Sequence, residues 1–181
     1  MLGFLRPRWK SETDAETLLL LADQAYKAGK QKRSLGMYRR LVQLHPDHFA
    51  ARVNLGALLV QMNHDLPEAL VHMEHARTLQ PDNCTVLLNL GSLYAHLGMH
   101  EKSEEHLRRA LELDPKFGDV RFLLAHLHIN RNELDEARRL LAEELSPGIR
   151  PNNLQARVLL AQLNEFRKQN PPEEAGKEET E

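Results

Sequence analysis

One period governs this sequence. Arg52-Val53-Asn54-Leu55-Gly56 repeats as Leu87-Leu88-Asn89-Leu90-Gly91, 35 residues on. Pro46, Pro81 and Pro115 keep offsets of 35 and 34, and Gly29, Asn63, Gly98 and Asn132 keep 34, 35 and 34. A period in this range means a supersecondary unit that cannot bury its apolar face alone and so stacks on copies of itself. Leu outnumbers Val plus Ile by 34 to 9, and long side chains unbranched at Cβ favour helices over strands. The unit is therefore helical, and the fold class is all-α.

Each recurring residue has a physical task in a helical hairpin. Ala22, Gly56, Gly91 and Ala125 stand where a first helix must approach its partner closely. Ser34, Ala69, Ser103 and Ala137 answer them from the second helix. Leu21, Leu55, Leu90 and Leu124 are expected to fill the space between, with Tyr38, Met73, Leu107 and Leu141. Gly29, Asn63, Gly98 and Asn132 end the first helices, where a left-handed residue is wanted. The prolines follow the second helices, which they cannot continue. Ser11 to Glu16 offers an N-cap to the first helix.

These residues and this spacing resemble the tetratricopeptide repeat, a helix–turn–helix unit of about 34 residues. The resemblance implies a right-handed α-solenoid of about four such units at 15–48, 49–83, 84–117 and 118–151, the second with one inserted residue near Pro67. A basic and apolar arm is expected at 1–14, a capping helix at 152–168 and an acidic, disordered tail at 169–181. Leu154, Val158, Ala161 and Leu163 are read as the apolar face of the capping helix. Leu41 and Glu144 stand where the family carries alanine, which predicts looser or altered packing in the first and fourth units. The fourth unit's proline is displaced into a connector holding Pro147 and Pro151.

The family presents its first helices along a concave groove. By alignment that groove displays Leu19, Leu20, Asp23 and Tyr26, then Val53, Asn54, Ala57 and Gln61, then Leu88, Asn89, Ser92 and His96, then Asp119, Phe122, His126 and Asn130. Apolar, amide and imidazole groups with few charges suit an extended peptide or an amphipathic helix. Asn54 and Asn89 share one repeat position, and a carboxamide can pair with one peptide unit. The pair is similar to the asparagine ladder of the O-linked N-acetylglucosamine transferase repeat domain. The alternative is that both satisfy neighbouring backbone. A carboxylate clamp like that of heat-shock co-chaperones is not expected, because its positions hold Leu19, Asp23, Asn54, Thr85 and Asn89 in one register and Val53, Ala57, Asn89, Asp119 and Leu123 in the next, with no cation in either.

Other chemistries find little support. A net charge of −2 gives no basic footprint for nucleic acid. No apolar run is long enough to span a membrane, and residues 1–10 lack the apolar core of a secretory signal. Cys84 is the single cysteine, so no internal disulfide forms, and a reducing, cytoplasmic setting is expected. His72 with His75 and His96 with His100 share helix faces, but zinc needs three or four ligands and no spacing forces convergence. No cofactor, metal or catalytic constellation is expected. The arm combines Leu2, Phe4, Leu5 and Trp9 with Arg6, Arg8 and Lys10. It reads as a disordered start, or as a segment for a groove or a membrane surface, where three cations alone bind marginally. The expected role is a non-enzymatic adaptor holding a segment of another protein, with self-assembly into a homo-oligomer as the alternative.

Overall fold

The computed structural model describes residues 14–170, which form helices joined by short turns and no strand. The chain divides into two compact units, one ending at Asp114 and one beginning at Pro115. The first holds three hairpins: α1 (Ala15–Lys27) with α2 (Gln31–Leu44), α3 (Phe49–Gln61) with α4 (Leu66–Leu79), and α5 (Cys84–His96) with α6 (His100–Leu113). Successive hairpins stack through α2 on α3 and α4 on α5. The second unit pairs α7 (Val120–Asn130) with α8 (Leu134–Glu144) and lays α9 (Leu154–Gln169) against α8. All but Asp14 of the arm lies outside the described residues, as does the tail expected at 169–181 except for Gln169 and Asn170, where Gln169 ends α9 instead of opening a disordered segment.

The punctuation works as the residue types require. Asp14, His48, Asn83 and Asn153 each accept a backbone N–H at the start of α1, α3, α5 and α9. Gly29, Asn63, Gly98 and Asn132 all adopt positive φ in the turns inside the hairpins. The residue inserted in the second repeat is absorbed in such a turn: Asp65 takes φ 49° and its carboxylate caps the Glu68 N–H. Close approach is literal at Gly91, where a Cβ would stand 2.6 Å from Leu107. The serines facing these positions do more than stay small. Ser34 Oγ donates to the Ala22 carbonyl at 2.9 Å, and Ser103 Oγ to the Gly91 carbonyl at 2.7 Å.

Three expectations need correction. Leu21 is 39% exposed, whereas Leu55 and Leu90 at the same repeat position are fully buried. Those two have α2 and α4 stacked ahead of them, and no described helix precedes α1. Leu41 and Glu144 leave no looser packing, since both are fully buried, though at Glu144 the packing is altered. Leu41 joins the main apolar cluster. Glu144 is held by its connector: Asn153 Nδ2 donates to its Oε1 at 3.1 Å, Arg150 Nη1 stands 3.5 Å from the same oxygen, and the Arg150 N–H donates to its carbonyl.

The third correction concerns α9, whose buried residues are Ala156 and Leu163. Leu154 and Val158 are 70% and 50% exposed, and Ala161 faces outward with them. The apolar positions run nearly all round this helix, so periodicity alone selected the wrong side. Ala161 follows its N-cap Asn153 at the distance separating Asp14 from Ala22, His48 from Gly56 and Asn83 from Gly91. Ala161 thus stands at the repeat position where Gly56 and Gly91 meet their second helices. Helix α9 is also longer, 16 residues against 13. Lys168 occupies the place where Gly29, Asn63 and Gly98 end the earlier first helices, and helix formation simply continues.

Candidate functional site

Stacking α3 beside α1 brings Asp23, Tyr26, Asn54, Ala57 and Gln61 to one surface, because first helices of consecutive repeats present the same positions side by side. Together with Lys27, Tyr38 and Leu58 they line a pocket of about 270 Å³. Its polar groups are mutually ordered. The Tyr38 hydroxyl donates to Asp23 Oδ1 at 2.5 Å, and Asn54 Nδ2 donates to the same oxygen at 3.3 Å. The Tyr26 hydroxyl donates to Gln61 Oε1 at 2.7 Å, joining α1 to α3. Burial, then the bond to Asp23, pushes the Tyr38 phenol up to about 12, so it remains a donor throughout the neutral range.

The other groove residues of the first unit continue this surface unevenly. Leu19 and Leu88 are half-buried, Leu19 resting against the apolar cluster. Val53 is the exception and a correction: it is buried in that cluster and offers a partner almost nothing. Asn89 is half-buried and its carboxamide finds no partner among the described residues, unlike Asn54. The two asparagines are therefore not equivalent. Ser92 lends its carbonyl to His96 Nδ1 at 2.8 Å, and His96 itself is exposed.

In the second unit Asp119 precedes α7 and accepts from Arg150. Phe122 and His126 pack edge to face with ring centres 4.6 Å apart. Burial holds the His126 imidazole below its ordinary pKa. Asn130 is exposed at the end of α7.

The nominal histidine pairs part company. Arg52 Nη1 donates to His72 Nδ1 at 3.1 Å, whereas His75 Nε2 meets Asp47 Oδ1 at 2.8 Å. Among the described residues no group of three or more His, Cys, Asp or Glu side chains is arranged to hold a metal ion. Cys84 is half-buried with its thiol 3.8 Å from the Ala110 carbonyl. Sequence reasoning missed the arginines that bind proline carbonyls six residues back, Arg52 to Pro46 and Arg121 to Pro115. The signal was present, since both arginines occupy one repeat position. It also missed the Tyr38–Asp23–Asn54 linkage, having placed Tyr38 in the core by its ring alone.

Comparison with known proteins identifies the repeat. Tetratricopeptide repeat models match residues 16–48, 47–116 and 101–143. This chain belongs to the tetratricopeptide repeat family, whose fold serves as a protein-interaction scaffold. Over 52 residues it is 40% identical to the CTR9 homolog of Arabidopsis thaliana, covering 29% of this chain and 5% of that protein. Anaphase-promoting complex subunit 3 of Schizosaccharomyces pombe is 24% identical over 140 residues, 77% of this chain and 21% of that one. The chain thus spans about a fifth or less of these relatives' length. A thermophilic TPR protein of Thermus thermophilus superposes with TM-score 0.70 at 26% identity, covering 86% of this chain and 84% of its own. YrrB, described as a TPR protein with an unusual peptide-binding site, gives 0.68 at 20% identity over 90% and 82%, and MamA gives 0.73 at 16% over 87% and 84%. The last two likenesses are of fold. Among the described residues no helix is long and apolar enough to cross a membrane.

Proposed function

We propose that this chain is a non-enzymatic adaptor that holds a segment of another protein on the first-helix surface of its first unit. The observation that carries this reading is the α1–α3 pocket, a concave site whose polar groups are ordered in advance. Preorganisation lowers the entropy lost on binding, so a short segment binds at micromolar strength, about −8 kcal/mol. Asn89 supports an extended guest, because its free donor and acceptor match one peptide unit. The family's clamp positions hold no cation in this sequence. A cytoplasmic setting fits the single cysteine.

The test is quantitative capture of partners by wild type and by Ala57→Arg, which fills the pocket, with Glu105→Gln on the exposed side of α6 as control. Partners lost with the first variant and kept with the second support the reading. Equal capture by all three removes it. A second reading, self-assembly, draws on the apolar residues left open on the terminal described helices, Leu20 and Leu21 on α1 and Leu154 and Val158 on α9. It requires a light-scattering mass that rises with concentration and falls back on Leu154→Ser/Val158→Ser.

A further inference from the structure

We propose that the α1–α3 pocket receives a basic side chain of the bound segment, lysine or arginine, with its cation on Asp23. This rests on reading the pocket as the partner surface and adds the chemistry of what enters it. Asp23 is half-buried, and two neutral donors, Tyr38 and Asn54, both use its Oδ1. No lysine, arginine or histidine among the described residues forms an ion pair with it, although Lys27 lies one turn further along α1 and also lines the pocket. Other half-buried carboxylates of the same unit are compensated. Glu68 is gripped by Arg39, Glu74 meets Arg77 at 2.8 Å, and Glu104 meets Arg108 at 2.7 Å.

A carboxylate drawn partly out of water without a counter-charge favours any cation that can reach it. Among the described residues Oδ2 has no partner, and Tyr38 and Asn54 fix the carboxylate through the other oxygen. The Tyr26 ring is exposed beside it, with its hydroxyl tied to Gln61, so an aromatic face is available to the aliphatic stem or the cation. Ala57 and Leu58 supply apolar wall for the stem. An acidic or phosphorylated group is disfavoured by Asp23, and Lys27 is the one cation among the described residues that lines the pocket.

The experiment selects peptides from a random 12-residue phage library on the full chain, then titrates the leading peptide against its analogue with norleucine for Lys or citrulline for Arg. One basic position should be enriched, and the neutral analogue should bind about tenfold more weakly, as for a charge-assisted hydrogen bond. In Asp23→Asn, which keeps an acceptor for Tyr38, that difference should shrink below twofold, while Lys27→Met should retain it. Peptides that ignore Ala57→Arg would sink the pocket reading and this inference together. Peptides that need the pocket yet show no basic position, or whose charge preference survives Asp23→Asn, overturn this inference alone. The comparison within wild type holds even if the variant melts.

Discussion

At the scale of single residues, His72 shows how position decides chemistry. Burial, and then the neighbouring Arg52 guanidinium, hold its imidazole below the ordinary value of 6.5, despite Glu68 on the same helix. His126 is shifted the same way by burial. The folded chain therefore binds fewer protons than the unfolded one as pH falls through that value. Stability is fully present above about pH 6.5 and declines on acidification until the folded imidazoles themselves protonate. Thermal melts from pH 7.5 to 5.5 should fall in Tm, and His72→Gln should flatten the slope. A slope unchanged by the substitution would place its origin elsewhere. This contact was not legible in the sequence, because nothing in the repeat pattern pairs Arg52 with His72, 20 positions further on.

At the scale of elements, the hairpins are set by how closely two helices meet. A Cβ at position 91 would stand 2.6 Å from Leu107 Cγ and Cδ2, a buried side chain with nowhere to move. Gly91→Ala gains about 1 kcal/mol of helix propensity but incurs about 1–3 kcal/mol of overpacking, a net loss of about 1 kcal/mol. At Gly56 the nearest atoms, 2.9 Å away, belong to the flexible Met73, with the Ala69 carbonyl at 3.2 Å, so Gly56→Ala should cost less. Chemical denaturation of the pair checks the order. These positions were legible in the sequence, as were the left-handed turn residues, because backbone geometry restricts them to a few residue types. Leu21 and the faces of α9 were not: whether a leucine is buried depends on which helix lies beside it, and among the described residues α1 has no helix ahead of it and α9 none after it.

At the scale of the whole molecule, stability in stacked repeats is close to a sum of local units and nearest-neighbour contacts. Glu144 makes the last of these contacts fragile, since its buried carboxylate depends on Asn153 and Arg150 in the connector to α9. Ending the chain at Pro151 removes the Asn153 amide together with the burial of Ala156 and Leu163. Hydrogen exchange should then show α8 losing protection while α3 and α5 keep theirs. Uniform loss along the chain would contradict nearest-neighbour energetics. The candidate surface was legible as a set of positions, five of which line one pocket, but its internal bonding was not, since alignment places residues without orienting them.

Because α9 keeps the spacing of a first helix and continues through Lys168, where the earlier ones end at glycine or asparagine, the architecture is extensible. Replacing Lys168 by glycine and grafting the sequence of α6 behind it would supply a mate for Ala161, and so write a fifth unit onto the molecule by design.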